Sequence, residues 1–263
     1  MYSDKVELDK FYTKESVAKE CIGEIDLEEY DFIIEPSAGS GNFFNNINSK
    51  NKIGLDLSPE GEGIIKQDWF EYIIDSKYKN VLVIGNPPFG KRNNLSKMFL
   101  EHASKFKNVK TIAFILPDVY NKHTLQKAVS NDFRLKEIRM LARDSFEING
   151  KDYHVPCSFF IFDRSEGECL RFDPKKYKET NDWEYGTKID YDFFVMGASL
   201  KTVKDKPDET NRGYYIKVKK GISIEQVKDN FIKGEWKGFS SANGGVSWFT
   251  KPEVVKEYIK QYN

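Results

Sequence analysis

The chain has 263 residues, of which 39% are hydrophobic and 31% charged, with 41 basic and 41 acidic side chains and a mean hydropathy of −0.61. These values are those of a globular chain and exclude collagen-like, disordered and membrane-embedded classes. Zero net charge argues against a histone-like polyanion binder, but the balance is uneven: residues 1–80 carry 9 basic and 17 acidic side chains, and the remainder 32 and 24.

Residues 1–10 show no apolar core of a signal peptide, and no run of about 20 apolar residues suits a membrane span. Cys21, Cys157 and Cys169 lie far apart, as do the histidines at 102, 123 and 154. That spacing predicts no metal site, and sparse unpaired cysteines predict a reduced, cytoplasmic setting without a membrane partner.

In chain order, helical spacing covers 16–25, roughly 43–48, 95–106 and 125–129. Apolar runs at 32–34, 53–57, 63–65, 81–84, 111–116, 135–141 and 158–162 read as strands. Several of these runs are continuous rather than alternating, which is the pattern of strands covered on both faces. Strands alternating with helices imply a parallel, doubly wound α/β sheet. Beyond residue 170 the pattern weakens: 171–210 is polar and tyrosine-rich, 214–218 suits a strand, and 240–247 has loop chemistry. Thr250 and Glu253 form a capping box with Pro252 in the first turn, opening a final helix with a stripe of Val254, Val255, Tyr258, Ile259 and Tyr262. A boundary is therefore expected near 170, dividing the chain into 1–170 and a small basic appendage, 171–263.

Four short patterns carry chemistry. The first is Glu35-Pro36-Ser37-Ala38-Gly39-Ser40-Gly41, after a strand, where two glycines let backbone approach a ligand at the carboxyl edge of a sheet. A dinucleotide fingerprint would need a third glycine where Phe44 stands, which disfavours a nicotinamide cofactor. The second is Asp56, closing the next strand, which suits a ribose or a turn. The third is Asp68, next to Trp69 and Phe70, which suits an adenine amine with an aromatic face or a helix cap.

The fourth and sharpest is Asn86-Pro87-Pro88-Phe89. Two prolines cannot continue a central strand, and each restricts the residue before it to extended conformations. The Asn86 side-chain oxygen and the Pro87 carbonyl become two rigid acceptors, and Phe89 offers a ring. Such a set suits a planar exocyclic amine.

Phe11-Tyr12-Thr13, the Glu-Pro-Ser-Ala-Gly segment, Asp56, Asp68 and Asn-Pro-Pro-Phe, in this order, resemble the S-adenosylmethionine-dependent N6-adenine DNA methyltransferases of gamma-type motif order. The resemblance spans roughly residues 8–165. It implies a Rossmann-like methyltransferase sheet, S-adenosyl-L-methionine as cofactor and methylation of a flipped adenine. Tyr12, Thr13, Glu35, Ser37, Gly39, Gly41, Asp56, Asp68 and Asn86 would hold the cofactor. Asn86, Pro87, Pro88 and Phe89 would form the catalytic motif, with Phe89 stacking on the base and Phe159 a second aromatic near it. Lys14 departs from the family, which often has proline there.

Lys91, Arg92, Lys219 and Lys220 are candidates for phosphate contact, with 171–263 as target-recognition region. DNA is the expected partner, with RNA, or a separate specificity subunit as in restriction-modification systems, also open. Related motifs occur in RNA adenine and protein glutamine methyltransferases, and a non-catalytic subunit with the same fold is a further reading.

Overall fold

The computed structural model describes residues 11–236 and 248–263; the loop expected at 240–247 and the amino-terminal segment 1–10 lie outside the described residues. The chain divides into two compact units, one of residues 1–120 and 124–171, the other of 121–123 and 172–263.

The first unit is built on a seven-stranded sheet of β2 (Phe32–Glu35), β3 (Lys52–Asp56), β4 (Ile65–Lys66), β5 (Val81–Gly85), β6 (Val109–Pro117), β7 (Arg134–Met140) and β10 (Cys157–Asp163). Its order is β4-β3-β2-β5-β6-β10-β7. The pairs from β4 through β6 are parallel, and β10 runs antiparallel to both neighbours. A doubly wound α/β sheet is thus present.

The central strands β2, β5, β6 and β10 are buried on both faces, as continuous apolar runs demand, whereas β4 at one edge is exposed. One face carries Ile33, Leu82, Ile84, Ala113, Ile115, Phe159 and Ile161 against Val17, Ala18, Cys21 and Ile22 of α1 (Glu15–Gly23). Helix α2 (Asn94–Lys105) packs on β6 and buries Phe99, Leu100 and Ala103. Two of the four expected helices shrink: 43–48 becomes one 3-10 turn, Phe44–Asn46, and 125–129 becomes α3 (His123–Gln126). Both windows are too short to nucleate a helix without tertiary support.

Phe159 is corrected by this packing. It lies in the middle of β10, fully buried in the core cluster, with no face open to a base.

A small three-stranded sheet joins β1 (Tyr12–Thr13) to the hairpin of β8 (Phe146–Ile148) and β9 (Lys151–Tyr153). The hairpin turns at Asn149 (φ 51°) and Gly150 (φ 72°), the two left-handed residues that a tight I′-type connection requires. Asn-Gly was the available sequence signal for it.

The second unit has its own core, which the weak periodicity of 171–210 conceals. Strands β11 (Trp183–Tyr185), β12 (Phe193–Met196), β13 (Ser199–Lys204) and β14 (Gly213–Val218) form an antiparallel sheet in the order β11-β14-β12-β13. Trp183, Phe193, Ile216, Val227, Phe231, Val255 and Tyr258 pack together beside it. Helix α4 (Ile224–Lys233) begins at Ser223, whose side chain accepts from the Gln226 N–H. Helix α5 (Lys251–Tyr262) starts at the expected Thr250–Glu253 pair, where the Thr250 N–H donates to Glu253 Oε2 at 2.7 Å.

No helix among the described residues is long and apolar enough to cross a membrane. Cys21 and Cys157 are buried, and burial raises the pKa of both thiols, that of Cys21 to about 12; Cys169 is exposed. A thiol reagent should therefore titrate Cys169 rapidly in the folded protein and reach Cys21 and Cys157 only after denaturant is added.

Candidate active site

Strand order reverses between β2 and β5, which are parallel neighbours with β3 on one side and β6 on the other. Loops leaving their carboxyl ends diverge there and open a crevice. Every motif loop leaves such an end: 36–41 follows β2, Asp56 closes β3, Asp68 follows β4, and Asn86 follows β5 directly.

The glycine loop is held from below. Gly39 and Gly41 have φ of 49° and 91°, the left-handed region that favours glycine. The Gly39 N–H donates to Asp56 Oδ2 at 2.8 Å, and the Ser58 N–H donates to Asp56 Oδ1 at 2.8 Å. Asp56 therefore already braces two turns, and any ribose hydroxyl would use the remaining lone pairs of these oxygens. Tyr12 crosses the loop. Its ring passes beside Gly39, and its hydroxyl donates to the Glu60 carboxylate, 2.9 Å from each oxygen. Glu60 was not singled out from sequence. It arrives here because its N–H and that of Gly61 both donate to the Gly39 carbonyl, at 3.0 and 3.1 Å.

Glu35 ends β2 and is buried, with Oε2 lacking any hydrogen-bond partner. Burial pushes its carboxyl well above the ordinary value; the Phe44 N–H opposes this, the Asp56 charge adds to it, and Lys52 offsets part. A buried polar atom without a partner is rare and costly. Here it lies at the carboxyl end of a strand beside a glycine loop.

Asn86 shows the same feature in neutral form. Its Nδ2 donates to Thr13 Oγ1 at 3.0 Å, while Oδ1 is buried without a partner. Thr13 is itself buried and fixed, because its carbonyl accepts from Asn42 Nδ2 at 2.6 Å. Ser37 Oγ donates to the Asn86 carbonyl at 3.2 Å and ties the glycine loop to this one. Pro87 is buried and Pro88 half-buried. The amide is thus oriented, with one of its two N–H donors used and its acceptor open. Thr13 serves by orienting Asn86, a role that a reading of Tyr12 and Thr13 as direct ligand contacts had not separated.

Several sequence expectations are redirected. Phe89 is 7% exposed and packs in the core with Phe11, ring centroids 5.2 Å apart, so its ring is covered rather than offered to a base. Asp68 accepts from the Phe70 N–H at 2.8 Å as a cap, and Trp69 is buried edge-on against His102. That packing withdraws the Trp69 face, while Phe70 stays half-buried, edge-on to Phe99 and His102. In the second unit, Lys219 pairs with Glu179 at 2.7 Å, so a phosphate would have to compete with that carboxylate; Lys220 is exposed. Lys91 and Arg92 are exposed, directly after the Asn86 loop.

No family model matches the chain, and no curated protein matches it. Among solved structures it is similar to a modification subunit assigned to a type I restriction enzyme of Vibrio vulnificus YJ016, at 15% identity and TM-score 0.43, over 69% of this chain and 48% of that one. The chain thus spans about half the length of that subunit. A Pyrococcus horikoshii protein described as an RNA methyltransferase aligns at 17% identity and TM-score 0.46, over 63% of this chain and 91% of its own. The 23S rRNA methyltransferase ErmE aligns at 11% identity and TM-score 0.44, over 64% of this chain and 75% of its own. At such identities and TM-scores, what the crevice does must be read from its own residues.

Glu35 yields a prediction on stability. A carboxyl whose folded pKa is raised contributes stability below its ordinary value of 4.5 and loses it as pH rises through the folded value. Urea unfolding of the ligand-free protein should show stability falling as pH rises above 4.5 through that range. Glu35→Gln should flatten that fall and be the more stable protein at neutral pH. A parallel pH dependence in both proteins would contradict the assignment.

Proposed function

We propose that the chain is an S-adenosyl-L-methionine-dependent methyltransferase acting on the exocyclic N6 amine of adenine in DNA. The observation that carries this reading is Asn86 Oδ1, a buried acceptor without a partner, oriented by the Thr13 bond to its own Nδ2. Thr13 takes one of the two Nδ2 hydrogens, and Oδ1 is left as a fixed, open acceptor. It therefore suits an N–H donor such as an amine.

The crevice residues also fit the cofactor. Glu35 offers an unpaired carboxyl oxygen for a cationic group, and Gly39 and Gly41 leave room for a ligand close to backbone. Glu35, Ser37, Gly39, Gly41, Asp56 and Asp68 would hold it, with Tyr12 alongside. When bound, S-adenosylmethionine supplies a methyl group activated by its sulfonium.

The chain's own part is to prepare the amine. Asn86 Oδ1 and the Pro87 carbonyl each accept one amine N–H. This draws electron density onto the nitrogen and counters its delocalisation into the ring. The prolines keep both acceptors stationary, so little reorganisation is needed during transfer. In a duplex the amine is paired, so the base must leave the stack to reach these acceptors. Exposed Lys91 and Arg92, next along the chain, favour a phosphodiester substrate.

Labelled S-adenosylmethionine with DNA, RNA and protein pools, followed by mass spectrometry of the digests, tests the reading. N6-methyladenine from DNA is expected; product in the RNA or protein pool alone would reassign the substrate. Asn86→Ala should lower single-turnover methylation by about 10²- to 10³-fold while cofactor affinity stays close to wild type. An unchanged rate would remove the amine site from this account.

A further inference from the structure

The segment after the catalytic motif has an unusual backbone. Gly90, Arg92 and Asn93 all have left-handed φ, of 66°, 56° and 60°. Non-glycine residues adopt this region only when the surroundings impose it, and such strain gathers at functional loops.

The surroundings that impose it can be named. A Cβ at Gly90 would lie 2.8 Å from Leu95 Cβ, so only glycine fits there. The Phe89 carbonyl accepts from the Leu95 and Ser96 N–H groups at 3.1 and 3.4 Å, and the Gly90 carbonyl from the Asn93 N–H at 3.1 Å. The Asn93 carbonyl accepts from Ser96 Oγ at 3.1 Å and from the Tyr120 hydroxyl at 3.4 Å. Ser96 and Tyr120 are both fully buried, and their oxygens lie 2.8 Å apart. Burial raises the Tyr120 pKa to about 12, so its hydroxyl keeps its proton and remains a donor.

Lys91 and Arg92 sit at the exposed tip of this stiff turn. Among the described residues neither makes an ion pair, whereas many other cations in the chain, including Lys14, Arg134, Arg139, Arg164 and Lys219, are matched to carboxylates. Two adjacent unpaired cations on a strained backbone, the first three residues beyond Pro88, have no structural use of their own.

We propose that residues 90–93 form a preorganised cationic turn that grips a phosphate of the nucleic-acid substrate, and that Ser96 and Tyr120 are positioning residues holding it through the Asn93 carbonyl. This rests on the reading of the Asn86 crevice as a nucleic-acid methyltransferase site. It adds how the backbone flanking the target is held. The chemistry recognised is the phosphodiester, common to DNA and RNA.

The test is binding of the full-length protein to a labelled DNA duplex and to an RNA hairpin, between about 0.05 and 0.3 M salt. Lys91→Gln and Arg92→Gln should each reduce the salt slope on duplex by about 0.9 and weaken binding about tenfold at 0.1 M salt. Ser96→Ala and Tyr120→Phe keep every charge, yet should weaken nucleic-acid binding several-fold while leaving S-adenosylmethionine affinity unchanged. Ser96→Thr, which keeps the hydroxyl, should restore it. In the Lys91→Gln, Arg92→Gln background, Tyr120→Phe should cost nothing further; an additive loss would mean that Tyr120 acts only through general stability and would overturn its positioning role. The tighter-binding probe names the source of the phosphodiester. If the wild type methylates nucleic acid but both charge variants keep its salt slope, the turn is not a phosphate grip and the methyltransferase reading stands. If the wild type binds neither probe and transfers no methyl group, that reading falls and the grip falls with it.

Discussion

The hydrogen bond from Asn86 Nδ2 to Thr13 Oγ1 is the interaction on which the crevice depends. It links two short segments distant in sequence, and it decides which end of a symmetric-looking amide faces inward. Without it the amide could rotate, and its open group could as well be a donor. The bond is itself supported. Thr13 lies in β1, which pairs with β8 of a hairpin, and its carbonyl is held by Asn42 of the glycine loop. The Ser37 contact with the Asn86 carbonyl closes the ring of contacts. Four segments thus stabilise one acceptor atom.

A second constraint is electrostatic. Parallel register sets Glu35 of β2 opposite Gly54 of β3, two residues before Asp56, so two acids share one crevice. Only one of them is satisfied by backbone N–H groups. Asp56 receives two, while one Glu35 oxygen receives none. An apolar residue in place of Glu35 would make a more stable sheet end, because a buried unpaired carboxyl destabilises the fold. In the function proposed above, the cationic cofactor would give this oxygen its partner. The acidic balance of residues 1–80, which supply these acids, fits the same picture.

Much of the first unit was legible in sequence. Every strand expected in the large sheet is present, because continuous apolar runs such as 111–116 report burial on both faces directly. The strand–loop positions of Gly39, Asp56 and Asn86 followed from those runs. The second unit was legible at 214–218, which is β14, and at its end, where capping chemistry marks α5. Its other strands, β11, β12 and β13, run only three to six residues, too short a stretch for periodicity to stand out. The β8–β9 hairpin carried its signal in Asn149-Gly150, a two-residue feature rather than a periodic one.

The sequence by itself determined the sheet and which loops leave its carboxyl edge with the candidate residues, because hydrophobic period and proline geometry are local properties of the chain. What each side chain does was decided by tertiary contacts. Phe89, Phe159 and Trp69 were candidate ligand platforms in sequence, and packing sent all three to the core, since an aromatic ring gains most where both faces are covered. Glu60, Ser96 and Tyr120 belong to no motif and gained their places through partners 24 to 48 residues away in sequence. The direction of the Asn86 amide is likewise invisible in Asn-Pro-Pro-Phe. It depends on a threonine 73 residues earlier, which only the folded chain brings within hydrogen-bonding distance.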